Sequence, residues 1–192
     1  MRVFVVGTGR CGTHTFAEAC KCLTNYTTGV GTHVREPARI AYPDRHIEVN
    51  DRLTRYLCVI QAKYPQAVWV EVRRNRRECV MSLAHSGISR TFANWAWAGN
   101  EGEWTWDKAI MTAKRMYDHL TVMLDRLLPG RMVIEIEKAV SQWDGFCEHI
   151  KAEGDMVAAK RILTKRYNAI NPKSSKFTPG PHRRKWRGKA IT

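Results

Sequence analysis

The chain has 192 residues and a mass of 22.1 kDa, which suits one domain of ordinary size and is too small for two. A hydrophobic fraction of 44% argues against a disordered chain, and 13 glycines with 7 prolines exclude collagen-like and low-complexity sequences. No stretch approaches the ~20 apolar residues of a membrane-spanning helix. We therefore expect a soluble globular domain with no membrane association.

The charge of the chain is strongly positive and unevenly distributed. Lys and Arg number 32 and Asp and Glu 18, which gives a formal net charge of +14. No acidic residue follows Asp155, whereas eleven lysines and arginines do. A surface potential of this sign predicts an anionic partner, and the basic C-terminus is placed to help bind it.

The six cysteines lie mostly among apolar or helical neighbours and do not form the spacing of a disulfide framework. The first apolar run is short and stops at Gly7, which leaves no room for a signal peptide. We therefore expect reduced thiols and a cytoplasmic protein. Cys and His also lack metal-ligand spacing, so no metal is expected.

In chain order, the sequence pattern predicts strands that alternate with helices. Apolar, β-rich runs predict strands at residues 2–6, 67–72 and 132–136. Apolar residues at helical spacing predict helices at 13–23, from about 50 to 64, at about 77–85, at 106–128 and around 143–150. Residues 29–43 have no clean period and contain four Gly or Pro, which indicates a loop. The alternation predicts a three-layer α/β fold, with a central parallel sheet and helices on both faces.

The loop after the first predicted strand carries a glycine-rich motif, Gly-Thr-Gly-Arg-Cys-Gly-Thr-His-Thr. Between a strand and a helix, such a loop can bind a phosphate through backbone N–H groups and the helix N-terminus. Gly7 and Gly12 fit the P-loop spacing, but Thr13 and His14 stand where a nucleotide triphosphatase has Lys and Ser or Thr. The basic residue is Arg10 instead. Glycine-rich turns also occur for packing alone, and that alternative stays open for this motif.

A second motif follows the strand predicted at residues 67–72. Arg74 comes directly after this strand, and Ser82 follows eight residues later in the next predicted helix. Arginine offers a planar fork of donors to phosphate oxygens, and serine adds a neutral donor. Ligands of open α/β sheets bind at the carboxyl ends of the strands, so both motifs are expected at one site. Alone, the basic run at 73–77 would equally suit a solvated face or a nucleic-acid patch.

Together the two motifs resemble the PAPS-dependent sulfotransferases of the bacterial and carbohydrate type, where PAPS is 3′-phosphoadenosine 5′-phosphosulfate. The first loop of that family carries Lys or Arg, a small residue, and then Gly-Thr-Thr or Gly-Thr-His, which matches residues 10–14. The family also has an Arg followed eight residues later by a Ser. The second match is incomplete, because Arg76 and Glu78 stand where the family often has Pro and Asp.

The resemblance implies a P-loop-like fold and a sulfuryl transfer from PAPS, with PAP as the product, to a small-molecule or carbohydrate acceptor. It implies that the donor is bound by Gly9, Arg10, Cys11, Gly12, Thr13 and His14 in the first loop and by Arg74 and Ser82 at the 3′-phosphate. It also implies that Arg183 and Arg184 close over the donor. We accordingly divide the chain into an α/β domain at residues 1–170 and a basic C-terminal segment at 171–192.

The acceptor must lose a proton, and related enzymes use His or Glu as the base. The loop after the first predicted helix offers His33 and Glu36, of which Glu36 is favoured because it resembles a carbohydrate-sulfotransferase Glu. Arg10 and His14 are expected to stabilise the departing phosphate oxygen. The resemblance implies no metal.

Two other functions are compatible with parts of the sequence. A P-loop nucleotide kinase or NTPase is disfavoured because Thr13 replaces the phosphate-binding lysine and because no apolar strand ends in a clear Mg²⁺-binding Asp. A non-catalytic nucleic-acid-binding protein would explain the basic charge. A nucleic-acid partner is nevertheless not expected, because no recognisable nucleic-acid motif is present.

Overall fold

The computed structural model of the protein describes residues 1–31, 41–86 and 105–165. Along these ranges the elements are β1 (Arg2–Val6), α1 (Thr13–Cys20), β2 (Thr27–Val30), β3 (His46–Val49), α2 (Leu57–Lys63), β4 (Val68–Arg73), α3 (Arg76–His85), α4 (Trp106–Leu127), β5 (Met132–Glu135), α5 (Ala139–Ile150) and α6 (Met156–Leu163). Two 3₁₀ helices, Asp51–Tyr56 and Ile136–Lys138, precede α2 and α5.

The five strands form one sheet in the order β2-β3-β1-β4-β5, and every neighbouring pair is parallel. The carboxyl ends of all the strands therefore lie at one edge. The chain leaves β1 toward β2 on one side of the sheet and later returns to β4 on the other side. The switch point of the sheet, where ligands of such folds bind, lies between β1 and β4.

Both faces of the sheet are buried, because the apolar residues of β1 point alternately to two hydrophobic clusters. Val3 and Val5 pack into a cluster with the aromatic side chains of α1 and α5. Phe4 and Val6 pack into a second cluster with side chains of the first 3₁₀ helix, α2 and the end of α4. The predicted three-layer α/β architecture is confirmed.

Three strands were predicted and are confirmed within a residue at either end, namely β1, β4 and β5. The prediction of a loop at residues 29–43 is wrong at its start, because Gly29 and Val30 end β2, and β3 was missed altogether. Each of these strands has four residues and carries Thr, Gly, His or Glu, so neither presents an apolar run. The first helix ends at Cys20 and not at residue 23.

One helix, α6, was not predicted. Its N-terminus is capped by Asp155, whose side chain accepts a hydrogen bond from the N–H of Ala158 at 2.8 Å. The eight-residue helix packs against α1 and α5 through Ala159 and Leu163, both buried. Two turns are too short for helical spacing to stand out in the sequence.

Candidate functional site at the carboxyl edge of the sheet

The glycine-rich loop between β1 and α1 contains three residues whose backbone lies in the left-handed region. The φ angles are +83° at Gly9, +56° at Arg10 and +99° at Gly12. Gly12 precedes α1, and its carbonyl accepts the hydrogen bond from the N–H of Phe16 at 3.1 Å. A Cβ at Gly12 would lie 2.5 Å from Cγ1 of Ile136, so the loop lies tightly against the chain that follows β5. The glycines are therefore required by backbone geometry and by close approach.

Side chains from other elements hold this loop through its carbonyl oxygens. Thr54 Oγ1 donates to the carbonyl of Gly7 at 3.1 Å, and the thiol of Cys79 donates to the carbonyl of Gly9 at 3.1 Å. The peptide planes of these two carbonyls also carry the N–H groups of Thr8 and Arg10. Because the peptides are trans, these N–H groups point away from the Thr54 and Cys79 donors. Together with the N-terminus of α1, they form an arrangement suited to an anion.

The two sequence motifs meet beside this loop. Arg10 Nε donates to Ser82 Oγ at 3.0 Å, and Arg74 Nη1 donates to the carbonyl of Arg10 at 3.4 Å. Ser82 is buried, and the side chain of Arg74 is 21% exposed. Arg74 also forms an ion pair with Glu78, whose carboxylate lies 2.6 Å from Nη2. Two guanidinium groups and a hydroxyl therefore cluster at the switch point.

The basic run at 73–77 does not form a uniform solvated patch. Arg73 donates two hydrogen bonds to the buried Glu71, at 3.0 and 2.9 Å, and Arg76 pairs with Asp118 at 2.7 Å. With the Arg74–Glu78 pair, three of these arginines are charge-compensated. Arg77 is exposed on the same helix. This pattern does not favour the nucleic-acid alternative, which needs clustered uncompensated charge.

Two buried thiols lie beneath the loop. Burial raises the pKa of the Cys11 thiol far above its ordinary value and also raises the pKa of the Cys79 thiol. A Cβ at Gly7 would lie 2.4 Å from Cys11 Sγ, so the Cys11 side chain fills the space under Gly7. Cys11 was predicted as a donor-binding residue, and its fully buried side chain leaves only its backbone for this role. All six cysteines are free thiols.

One acidic residue at the site was missed by the sequence reasoning. Asp51 begins the 3₁₀ helix after β3, and its Oδ2 lies 3.2 Å from the position that a Cβ on Gly9 would occupy. Burial raises the pKa of this carboxyl group above its ordinary value. Because β3 was not predicted, no apolar strand was expected to end in a Mg²⁺-binding Asp, and residues 50 and 51 fell at the start of the helix predicted from about 50 to 64. The side chain of Asn50 caps the 3₁₀ helix.

The remaining predicted site residues fall into two groups. Thr13 is half-buried and His14 is exposed, both in the first turn of α1 next to Gly12. His33, Glu36, Arg183 and Arg184 lie outside the described residues, as does the basic segment at 171–192. In the described ranges, no group of three or more His, Cys, Asp or Glu is arranged to hold a metal ion. None of the helices in those ranges combines the length and apolarity needed to cross a membrane.

No model of a known protein family matches this chain, and no curated protein matches its sequence. Among solved structures, the chain is similar to the mouse sulfotransferase SULT7A1 complexed with PAP, with a TM-score of 0.54 and 13% identity over 85% of this chain. The chain spans 63% of the length of that sulfotransferase. The YorR protein of Bacillus subtilis, in complex with phosphorylated GDP, matches with a TM-score of 0.41 and 14% identity, over 79% of this chain and 97% of that one.

At this identity, the likeness to the sulfotransferase concerns the fold. The protein has the P-loop-like α/β fold that the sequence predicted, with the glycine-rich loop between the central strand and the first helix.

Proposed function

We propose that the protein transfers a sulfuryl group from PAPS to a hydroxyl or amine acceptor. The observation that supports this most directly is the contact of the two motifs, in which Arg10 bonds to Ser82 at 3.0 Å and Arg74 bonds to the carbonyl of Arg10 at 3.4 Å. Residues 64 and 72 positions apart in the chain thereby meet beside the glycine-rich loop. A donor with phosphates on both its 5′ and 3′ positions needs two such neighbouring groups of donors.

The loop and the start of α1 would bind the 5′-phosphosulfate. The loop N–H groups point away from the carbonyl contacts with Thr54 and Cys79, and Arg10 adds a permanent positive charge. When the phosphosulfate is cleaved, negative charge develops on the departing phosphate oxygen. Donors fixed beforehand by the protein stabilise that charge without reorganisation.

Arg74 and Ser82 would bind the 3′-phosphate. The guanidinium of Arg74 is fixed between the carbonyl of Arg10 and the carboxylate of Glu78, with about a fifth of its side chain exposed to solvent. Glu78 lies half-exposed and would give up part of this ion pair to an incoming phosphate. PAPS supplies the sulfuryl group in this proposal, and no metal is part of it.

The other roles inferred from the sequence remain proposals of the same kind. Glu36 and His33 are the candidates from the sequence for the base that accepts the proton of the acceptor, His14 would donate a further hydrogen bond, and Arg183 with Arg184 would close over the donor. A small-molecule or carbohydrate acceptor and a cytoplasmic location, the latter from the cysteine usage, belong to the same proposal.

A P-loop nucleotide kinase or NTPase is the second candidate, and Asp51 is the observation that favours it. A carboxylate next to the phosphate loop is the group that holds Mg²⁺ in such enzymes. Thr13 argues against this function, because it occupies the place of the lysine that binds the β- and γ-phosphates. The two candidates differ in the nucleotide bound and in the need for Mg²⁺.

Binding of nucleotides to purified protein tests the proposal. PAP without Mg²⁺ is expected to bind in the micromolar range and, at about 100 times its Kd, to stabilise the fold by roughly 2.7 kcal/mol. Arg74→Ala should weaken PAP binding by about 1.5–3 kcal/mol, the contribution of a hydrogen bond to a charged group, and Ser82→Ala by less. AMP, which lacks the 3′-phosphate, should lose little in either variant.

Arg77→Ala is the matched control, because it removes an equal charge three residues after Arg74, from an exposed position in the first turn of α3. Its PAP affinity should stay close to wild type, measured by isothermal titration calorimetry at fixed ionic strength. Equal losses for PAP and AMP in Arg74→Ala would assign this arginine to another role. Stabilisation by ATP with Mg²⁺ but not by PAP would overturn the sulfotransferase proposal in favour of the kinase.

A further inference from the structure

The position of Asp51 relative to the phosphate loop is fixed on both sides. The N–H of Asn50 donates to the carbonyl of Val5 at 2.9 Å, which ties the end of β3 to the end of β1. Three residues after Asp51, Thr54 Oγ1 donates to the carbonyl of Gly7 at the start of the loop. The backbone of Asp51 is therefore held close to the loop by a bond on each side of it in the chain.

The carboxylate of Asp51 points to the middle of the loop. Its Oδ2 lies 3.2 Å from the Cβ position of Gly9, the residue with φ of +83° that precedes Arg10. The other two atoms nearest to that position belong to the apolar side chains of Leu83 and Met116. The negative charge of Asp51 also disfavours ionisation of the Cys11 thiol below the loop, which agrees with a short separation.

Asp51 lies in the first turn of the 3₁₀ helix, where backbone N–H groups, among them that of Arg52, stabilise part of its charge. Arg52 and Arg55 are the cations that act on Asp51, both are exposed, and neither forms an ion pair with it in the described part of the chain. Desolvation outweighs these two cations, so burial raises the pKa of the carboxyl group. A half-buried carboxylate without a paired cation costs stability, and such groups gather at functional sites.

We propose that Asp51 accepts the proton of the acceptor hydroxyl or amine during sulfuryl transfer, an inference that rests on the proposed function. In this step the acceptor oxygen or nitrogen forms a bond to sulfur, and the bond from sulfur to the bridging phosphate oxygen breaks. The acceptor's proton moves to a carboxylate oxygen of Asp51. PAP leaves with the electron pair of the broken bond.

Asp51 differs from His33 and Glu36, the two bases suggested by the sequence, because hydrogen bonds of the sheet and loop fix its backbone position. Its backbone is bonded to β1 and its 3₁₀ helix to the phosphate loop, so its distance from a donor bound there is set by the sheet itself. A base must lie within hydrogen-bond reach of the proton that it removes. A residue anchored to the donor loop keeps the same backbone position for every acceptor placed in line with the donor.

The first test compares Asp51→Asn, Asp51→Glu, Glu36→Gln and His33→Ala with wild type. Enzyme in excess over PAPS is mixed with water alone or with a phenol, a hexosamine or a tyrosine peptide, and PAP release in a single turnover is measured by anion-exchange chromatography. Asp51→Asn should lower the rate by about 10²–10⁴, the usual contribution of a general base, while the Kd for PAP changes less than twofold. Asp51→Glu should recover part of the rate.

Asp144→Asn serves as the control for removal of one carboxylate. Asp144 lies on α5 with 68% of its side chain exposed and pairs with Lys160, away from the loop. Its rate of PAP release should equal that of wild type.

A second measurement does not depend on activity. The carboxyl ¹³C resonance of Asp51, assigned by its loss from the spectrum of Asp51→Asn, should shift when PAP is added and shift further with PAPS. The resonance of Asp144 should not move. A resonance of Asp51 that stays in place at saturating PAP would overturn the inference.

The outcomes separate the inference from the proposed function. Full PAP release by Asp51→Asn with loss in Glu36→Gln or His33→Ala overturns Asp51 as the base and leaves the transferase intact. No PAP release by wild type with any acceptor overturns the transferase and the base with it. If ATP with Mg²⁺ binds and Asp51→Asn abolishes that binding, the carboxylate is a Mg²⁺ ligand and both proposals fail.

Discussion

Gly12→Ala tests whether the loop conformation depends on its glycines, and the structure gives the size of the effect. Gly12 has a φ of +99°, a region that costs an L-residue roughly 1–2 kcal/mol. An added Cβ would lie 2.5 Å from Cγ1 of Ile136, and relief of such an overlap in a packed site costs about 1–3 kcal/mol. The free energy of unfolding should therefore fall by about 2–5 kcal/mol.

Two other glycines separate the two contributions. Gly31 has a φ of +60° but no neighbour within 4 Å of an added Cβ, so Gly31→Ala should show the backbone cost alone. Gly145 lies exposed in α5 with no neighbour within 4 Å and no positive φ, so Gly145→Ala should stabilise the fold by about 0.5–1 kcal/mol. Urea unfolding of the three variants measures these differences.

A double mutant tests the assigned contact directly. Ile136→Ala removes both atoms closest to the added Cβ, so its own cost should shrink by at least about 1 kcal/mol in the Gly12→Ala background. PAP affinity should fall in Gly12→Ala, because the first amides of α1 move with the loop. The reasoning is refuted if Gly12→Ala destabilises the fold no more than Gly31→Ala, or if the two substitutions at 12 and 136 are additive.

Two further outcomes follow from the charges at the site. Glu78→Gln removes the carboxylate that lies 2.6 Å from Arg74. PAP should then bind about two to five times more tightly by calorimetry, because a partly exposed ion pair contributes only ~0.2–1 kcal/mol. An unchanged or weaker affinity would contradict the role of Arg74. Asp51→Asn should raise Tm at pH 7 in differential scanning calorimetry. Burial raises the pKa of Asp51 above 3.8, so the folded protein binds this proton more tightly and loses stability as pH rises through that window. The gain should vanish below pH 3.8, and a gain that persists there would disprove the titration of Asp51 as its cause.

The sequence predicted the strands whose apolar runs are continuous and missed the two in which polar residues alternate with apolar ones. In β3, Ile47 and Val49 face one buried cluster while Glu48 is fully buried on the other face, with His46 3.4 Å away. A buried glutamate interrupts the apolar run that predicts a strand in a parallel sheet. The period-two alternation at 47 and 49 was the available signal.

Because β3 was missed, Asp51 was not predicted as a site residue. Recognition of β3 as a strand next to β1 would have placed Asp51 at the carboxyl edge, beside the glycine-rich loop. The phosphate motifs themselves could be predicted because their spacing is local. The contact of Arg10 with Ser82 joins residues 72 positions apart and follows from the strand order, which the sequence alone did not determine.

Two features at the carboxyl edge each lower the stability of the fold, and their coincidence argues for function. Arg10 is held at a φ of +56°, where glycine would be preferred, and this conformation accompanies a guanidinium that bonds to Ser82. Asp51 is half-buried, and no ion pair with it is found in the described part of the chain. A sequence selected for packing alone would remove both features, since each has a simple stabilising replacement. A strained backbone and a partly buried carboxylate remain together beside a helix start, where the proposed binding of an anion and removal of a proton would use them.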